Sequence, residues 1–245
     1  MIINITLVVP VKYSCPSLRD TLHSIIAQSC HPYQTIVVHF GDIEHKVLKM
    51  LYDIPNVCFV RDEGKGVYNS MNTSLGYIKG DYVLFLGSGD TLCTKHSLEQ
   101  AAKSIESYYA THAYLPDLAI FDVRMPSGNI FPGIDVTADM IMRGFMPCHQ
   151  GVLASTHLFE RLHGFDISYK IAADFDFLLR AVILGSTLLS ERILLSTYLG
   201  GGISHNGSLP DVFRSLFIAN HYFSAFRYIA LEVLARVYRK LSLHR

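Results

Sequence analysis

Four short apolar runs rich in β-branched residues, each followed by a segment with helical spacing, limit the possible folds of this chain more than any other feature. The run Ile5-Thr6-Leu7-Val8-Val9 stops at Pro10, and behind Ser17 the residues Leu18, Leu22, Ile25 and Ile26 recur on one helix face. Thr35-Ile36-Val37-Val38 is followed by Val47, Leu48 and Leu51, and Val57-Cys58-Phe59-Val60 by Val67, Met71, Leu75 and Ile78. The fourth run is 82–86. Strands alternating with helices of this length imply right-handed crossovers and a mainly parallel sheet covered on both faces. The strand ends near 9–13, 38–42, 60–66 and 86–90 are then expected on one edge, where open α/β sheets bind ligands.

The composition agrees with such a fold and excludes several function classes. Of 245 residues, 50% are hydrophobic and 17% charged, which suits deep burial rather than disorder. Formal net charge is zero, so no global basic field exists to gather nucleic acid. The five cysteines are odd in number and widely spaced, as expected of free thiols in a reducing cytosol. The apolar amino terminus lacks a basic start and a small-residue cleavage site, and reads as a first strand. No window of about 18 residues is apolar enough to suggest a bilayer span.

Beyond the fourth strand the pattern continues with a helix near 96–110 and a strand at 118–123. The Pro- and Gly-containing segment 124–150 is irregular and suited to lining a cleft. A short strand at 151–154, a helix from Ser155, a helix from about Asp174 to Leu184 and a strand within 187–198 follow. From Asp211 the character changes: Arg214, Arg227, Arg236, Arg239, Lys240 and Arg245 interleave with many aromatic and aliphatic residues. Such a basic amphipathic helical tail suits either packing on protein, a homodimer partner included, or resting on an anionic membrane.

Several residues are candidates for chemistry. Asp90 ends the run Tyr82-Val83-Leu84-Phe85-Leu86-Gly87-Ser88-Gly89-Asp90, which delivers a carboxylate just past a buried strand. A turn or capping role is the plain alternative. In Ala173-Asp174-Phe175-Asp176, Asp176 is i, i+4 from Arg180 and reads as its ion-pair partner, whereas Asp174 is free to cap the helix or act as a general base. Gly64-Lys65-Gly66-Val67-Tyr68-Asn69 lacks the third glycine of a dinucleotide fingerprint and lies on the third strand–helix unit, which disfavours NAD; Lys65 and the helix amides still favour a diphosphate. Among twelve histidines, His149 and His205 stand beside loop glycines, and no His-Glu-x-x-His occurs.

Together these residues resemble the family 2 glycosyltransferases, in particular the bacterial branch of colanic-acid and O-antigen enzymes. Gly66-Val67-Tyr68-Asn69-Ser70-Met71-Asn72 is similar to that branch's Gly-Ile-Tyr-Asp-Ala-Met-Asn, and Phe85-Leu86-Gly87-Ser88-Gly89-Asp90 to its Phe-Leu-Asn-Ser-Gly-Asp. His149-Gln150, Ala173-Asp174-Phe175-Asp176 and Gly201-Gly202-Ile203-Ser204 follow in the order such enzymes show.

The resemblance implies a GT-A fold, Rossmann-like, over 1–210, with a nucleotide-sugar half at 1–95 and an acceptor half at 96–210, and the tail at 211–245 as an amphipathic helical extension. It implies an inverting hexosyltransferase that uses Mg²⁺ or Mn²⁺. The donor, a UDP-sugar, would meet Pro10, Val11, His39, Asp62, Lys65, Gly66, Tyr68, Asn72, Ser88, Gly89 and Asp90. Asp90 would hold the metal, with His205 a further candidate ligand; Asp174 would be the catalytic base, and His149 and Gln150 would face the acceptor. The implied acceptor is a lipid-linked saccharide of surface polysaccharide biosynthesis (O-antigen, capsule or exopolysaccharide), met at the cytoplasmic face of a bacterial membrane, where the protein would be peripheral. Departures from the motifs are Ser88 in place of a first Asp, His39 in place of an Asp at the donor base, and Gly64 in place of Asp. They leave open a nucleotide-sugar binding protein of the same fold without turnover.

Overall fold

A computed structural model describes residues 1–11, 16–42, 45–202, 209–219 and 229–230. The expected alternation is present: β1 (Ile5–Val11), α1 (Pro16–Ile26), β2 (Gln34–His39), α2 (His45–Tyr52), β3 (Val57–Arg61), α3 (Val67–Leu75) and β4 (Tyr82–Phe85). There follow β5 (Thr91–Leu92), α4 (Ser97–His112), β6 (Leu118–Arg124), β7 (Ile130–Phe131), α5 (Ala138–Met142) and a 3₁₀ turn (His149–Gly151). The last described elements are β8 (Val152–Ser155), α6 (Thr156–Leu162), α7 (Ala173–Ile183), β9 (Leu188–Thr197) and α8 (Leu209–Ile218).

One nine-stranded sheet runs in the order β3-β2-β1-β4-β8-β6-β9-β5, with β7 paired to β6. The first four strands are mutually parallel, and Val11, His39 and Arg61 are register partners, so their carboxyl ends share one edge as the spacing predicts. β8 enters between β4 and β6 antiparallel to both, a reversal that the short apolar run at 151–154 did not reveal. Strand order turns back between β1 and β4, which makes the crevice above them the natural ligand site.

Period-two alternation sorts the core onto the two faces of the sheet. Val8, Ile36, Val38, Val83 and Phe85 pack on one face against α3, α6 and α7, while Leu7, Val9, Val37 and Leu84 pack on the other against α1, α2 and α4. Helix ends are set locally. The Ser155 side chain accepts the Leu158 amide at the start of α6, and His163 closes that helix in the left-handed conformation. α8 is part of the same core, because Val212 and Leu216 are buried beside Phe175 of α7.

β6 is pressed closely by two glycines. Where its register with β9 shifts at Phe121 and Asp122, a Cβ on Gly133 would sit 2.2 Å from the Phe121 carbonyl carbon, and one on Gly151 2.4 Å from the Phe121 oxygen. Both obstacles are backbone, which has little room to retreat. Gly133→Ala should therefore destabilise the fold by about 1–3 kcal/mol, lowering Tm by roughly 2–4 °C per kcal/mol in a thermal unfolding experiment; an unchanged Tm would contradict this packing.

Candidate active site

The end of β4 carries the carboxylate that organises the site. Gly89 has φ 109°, and a Cβ there would fall 2.4 Å from Leu199, so only glycine makes the turn that swings Asp90 back under the strand end. Ser88 Oγ donates to the Pro10 carbonyl at 3.1 Å, joining the ends of β4 and β1, and the Gly89 amide donates to Thr21 Oγ1 at 2.8 Å. Asp90 is 5% exposed. Its Oδ2 accepts from the Gly87 amide (3.1 Å) and from Gln150 Nε2 (2.9 Å), and its Oδ1 from the Leu199 amide (2.9 Å). Burial raises its pKa above the ordinary carboxylate value, opposed by these hydrogen bonds and by His149.

The 3₁₀ turn places adjacent side chains against two different acids. Gln150 faces Asp90. Its Oε1 accepts from Cys148 Sγ at 3.1 Å, a thiol whose pKa burial pushes up to about 12, so it stays a donor. His149 faces Asp174, with Nδ1 3.7 Å from Oδ2, and its ring stacks on Phe85. His149 Nε2 is buried without a hydrogen-bond partner among the described residues. Beside it a pocket of about 20 Å³, room for one water molecule, is floored by Phe85, Phe159, Phe165 and Phe177.

Asp174 is the second residue of α7, at the end of the helix where the macrodipole favours an anion. Its Oδ1 accepts from the Phe175 amide (3.0 Å) and from the Tyr68 hydroxyl (2.9 Å). Tyr68 also approaches the Ile171 carbonyl, and burial together with the Asp174 charge raises its pKa, so it remains a protonated donor. Asp176 pairs with Arg180 (2.8 Å), as the i, i+4 spacing predicts.

The other residues named from sequence occupy three settings. Pro10 and Val11 end β1; His39 ends β2, with Nδ1 2.9 Å from the Gly41 carbonyl. Asp62 is buried and shapes the following turn through the Gly64 amide (2.9 Å) and Ser70 Oγ. Lys65 pairs with Glu63 at the surface, and Gly66 begins α3, whose amino terminus has no side-chain cap and leaves amides for an anion. Asn72 uses both ends of its amide on the Phe165 backbone (2.8 and 2.9 Å), clamping α3 to the segment after α6. His205 lies outside the described residues. The Leu199 amide, which sequence reasoning missed, carries no side-chain signal.

A divalent cation fits this donor set in one way. Among the described residues no group of three or more His, Cys, Asp or Glu side chains converges on a metal-sized site. Three N–H groups occupy three of the roughly four lone-pair positions of the Asp90 carboxylate, leaving one on Oδ1. Asp90 can thus supply a single oxygen, and the remaining positions are left to substrate, water or residues outside those described.

Residues 6–124 match the family described as Glycosyl transferase family 2. A PGL/p-HBAD biosynthesis glycosyltransferase of Mycobacterium bovis is 27% identical over 179 residues, covering 71% of this chain and 68% of the relative. The crystal structure of S. aureus TarS 1–349 in complex with UDP-GlcNAc superposes with a TM-score of 0.66 at 20% identity, covering 86% of this chain and 64% of that one. The mannosyltransferase PcManGT from Pyrobaculum calidifontis, in complex with GDP-Man and Mn²⁺, superposes with a TM-score of 0.63 at 15% identity, covering 99% of this chain and 81% of that one. The chain thus spans just under two thirds of the TarS fragment. Residues 6–124 are thus similar to the family 2 glycosyltransferases, and the chain has a GT-A-like fold.

The raised pKa of Asp90 has a definite sign in stability. The folded protein holds this proton to higher pH than the unfolded chain, so the contribution is fully present below the unfolded value, near 3.8, and is lost as pH rises through the folded one. Without divalent cation, the Tm of the wild type relative to Asp90→Asn should fall over the pH interval that starts at the ordinary value of 3.8 and runs upward. A relative Tm that rises over that interval would mean that the anion, not the acid, is the form the fold prefers.

Proposed function

We propose that this chain is an inverting glycosyltransferase in which Asp174 is the catalytic base and Asp90 is the carboxylate ligand to a Mg²⁺ or Mn²⁺ ion on the donor diphosphate. The observation that carries this reading is the His149-Gln150 turn, whose neighbouring side chains meet Asp174 and Asp90 and so hold two carboxylates of unlike environment on either side of one crevice. One acid is buried under N–H groups; the other is partly exposed at a helix start. Such a pair suits in-line displacement, with the nucleophile deprotonated on one side and the leaving group met on the other.

In this mechanism the acceptor hydroxyl lies against Asp174 Oδ2, since Oδ1 is occupied by Tyr68 and the Phe175 amide. As the hydroxyl oxygen attacks the anomeric carbon, its proton passes to Asp174 and the bond to the diphosphate breaks. Lys65 and the uncapped amides at the start of α3 lie where a diphosphate is favoured. When bound, the cation supplies charge neutralisation of the departing diphosphate.

A uridine nucleotide is the proposed donor, supported by the likeness to a structure holding UDP-GlcNAc, and a lipid-linked saccharide of bacterial surface polysaccharide biosynthesis is the proposed acceptor. The acceptor reading draws on the basic aromatic character of the tail and on the colanic-acid and O-antigen motif resemblance. The same tail motivates a peripheral site on the inner face of the cell membrane; among the described residues no helix is long and apolar enough to cross one.

Asp174→Asn should keep donor affinity and lower transfer by roughly 10²–10⁴-fold, read as turnover against isothermal titration with the UDP-sugar. Retained turnover would remove Asp174 as the base, and donor binding equally tight with and without Mn²⁺ in the wild type would remove the metal. Deleting 220–245, which leaves α8 intact, should release the protein from anionic vesicles; unchanged sedimentation with them would end the membrane reading.

A further inference from the structure

The helix at the start of the tail grips the segment that presents Asp174. Asp211 Oδ2 accepts the Ile171 amide at 2.8 Å and the Ala172 amide at 3.3 Å. One turn on, the Arg214 guanidinium lies 4.5 Å from the Tyr169 ring centre and donates to Ser168 Oγ at 3.2 Å. Ser215, buried, donates to Asp176 Oδ1 at 2.9 Å. These contacts flank Asp174 on both sides in sequence, at 168–172 and at 176.

The Asp211 contact bears most directly on the base. Ala172 is the residue before α7, has φ −116° and ψ 36°, and provides no side-chain cap, so the backbone that turns into the helix is ordered by contacts from elsewhere. Ala172 is buried, and its amide needs an acceptor. Asp211 provides it from outside, while the Tyr68 hydroxyl, whose one proton is shared between the Ile171 carbonyl and Asp174 Oδ1, lies against the same peptide from the site side. One peptide unit is thereby pinned from two directions, two residues ahead of the carboxylate.

We propose that Asp211 is a positioning residue for the transfer reaction: its carboxylate fixes the 171–172 peptide, and through it the orientation in which α7 presents Asp174 to the acceptor. The proposal rests on the reading of Asp174 as the base. Asp211 contacts the 171–172 backbone ahead of the base, so its effect belongs to turnover and not to donor binding. The transfer step accordingly depends on α8 being docked.

The test uses the full chain with Asp211→Ala, Asp211→Asn and Asp174→Asn compared in parallel. Asp211→Ala should lower kcat by about 10–100-fold, the scale of a misplaced catalytic group, with KM and Kd for the UDP-sugar within about two-fold of wild type. Asp211→Asn, whose amide oxygen can still accept both N–H groups, should recover most of the rate. An unchanged kcat in Asp211→Ala overturns the proposal, as does an Asn variant no better than Ala or a loss shared equally by donor affinity. If Asp211→Ala does not fold, Asp211→Glu, which displaces the carboxylate by one methylene, takes its place with the same expected split. If Asp174→Asn retains wild-type turnover, the base assignment fails instead, and the two failures are told apart by that control.

Discussion

The site is built around one buried charge. Asp90 is almost fully removed from water, and a carboxylate in that position is tolerated only when N–H groups replace the lost solvent. They come from Gly87 in its own turn, from Gln150 sixty residues later and from Leu199 a further forty-nine on. The need to satisfy this carboxylate therefore draws together the end of β4, the 3₁₀ turn and the chain after β9. Loss of any one donor leaves a buried charge short of a partner, which costs more than an ordinary hydrogen bond contributes. His149 owes its position beside Asp174 to this arrangement, because it is the neighbour of the residue that Asp90 holds.

The Asp174 side is set by packing. Phe159 and Phe177 stack at 4.4 Å, and Phe165 meets Phe85, Phe159 and Phe177, so the first turns of α7 rest on a continuous aromatic layer over β4 and β8. Close-packed layers of this kind resist small displacements, which is what a general base needs in order to stay aligned with a hydroxyl. Arg180 extends the same order outward: it pairs with Asp176 and donates to the carbonyls of Leu162 and Gly164, fastening the end of α6 to α7. The crevice thus has two kinds of rigidity, a hydrogen-bonded acid at Asp90 and an acid carried by an aromatic core at Asp174.

Much of this was legible in the amino acids. Apolar runs and helical spacings identified β1 to β4 with their helices, and the i, i+4 spacing identified the Asp176–Arg180 pair, because both follow from local periodicity. The direction of β8 was not legible, since a four-residue apolar run is the same read either way and its pairing depends on where the irregular 124–150 segment returns. Gln150 on Asp90 and Asp211 on the Ile171 and Ala172 amides were equally hidden. Each joins a side chain to a partner about forty to sixty residues away, and in the second case to backbone, which has no residue-type signature. Asn72 shows the converse: it stands in a family motif, yet its amide is fully used in clamping Phe165.

Ser88 bears on how a metal would be held. Where many related enzymes have a first aspartate, this chain has a hydroxyl that donates to the Pro10 carbonyl and ties β4 to β1 at the strand-order reversal. The position contributes to closing the sheet and adds no charge, and Asp90 retains one lone pair. A hard divalent cation takes about six oxygens or more, so one protein oxygen cannot retain it alone. In the proposed reaction the diphosphate would supply both missing ligands and negative charge, coupling cation affinity to donor occupancy, and by linkage the donor would gain the same factor from the cation. With a single carboxylate at the strand end, the proposed reaction would make cation and nucleotide sugar one cooperative ligand, the protein's share being to hold Asp90 ready and nearly dry.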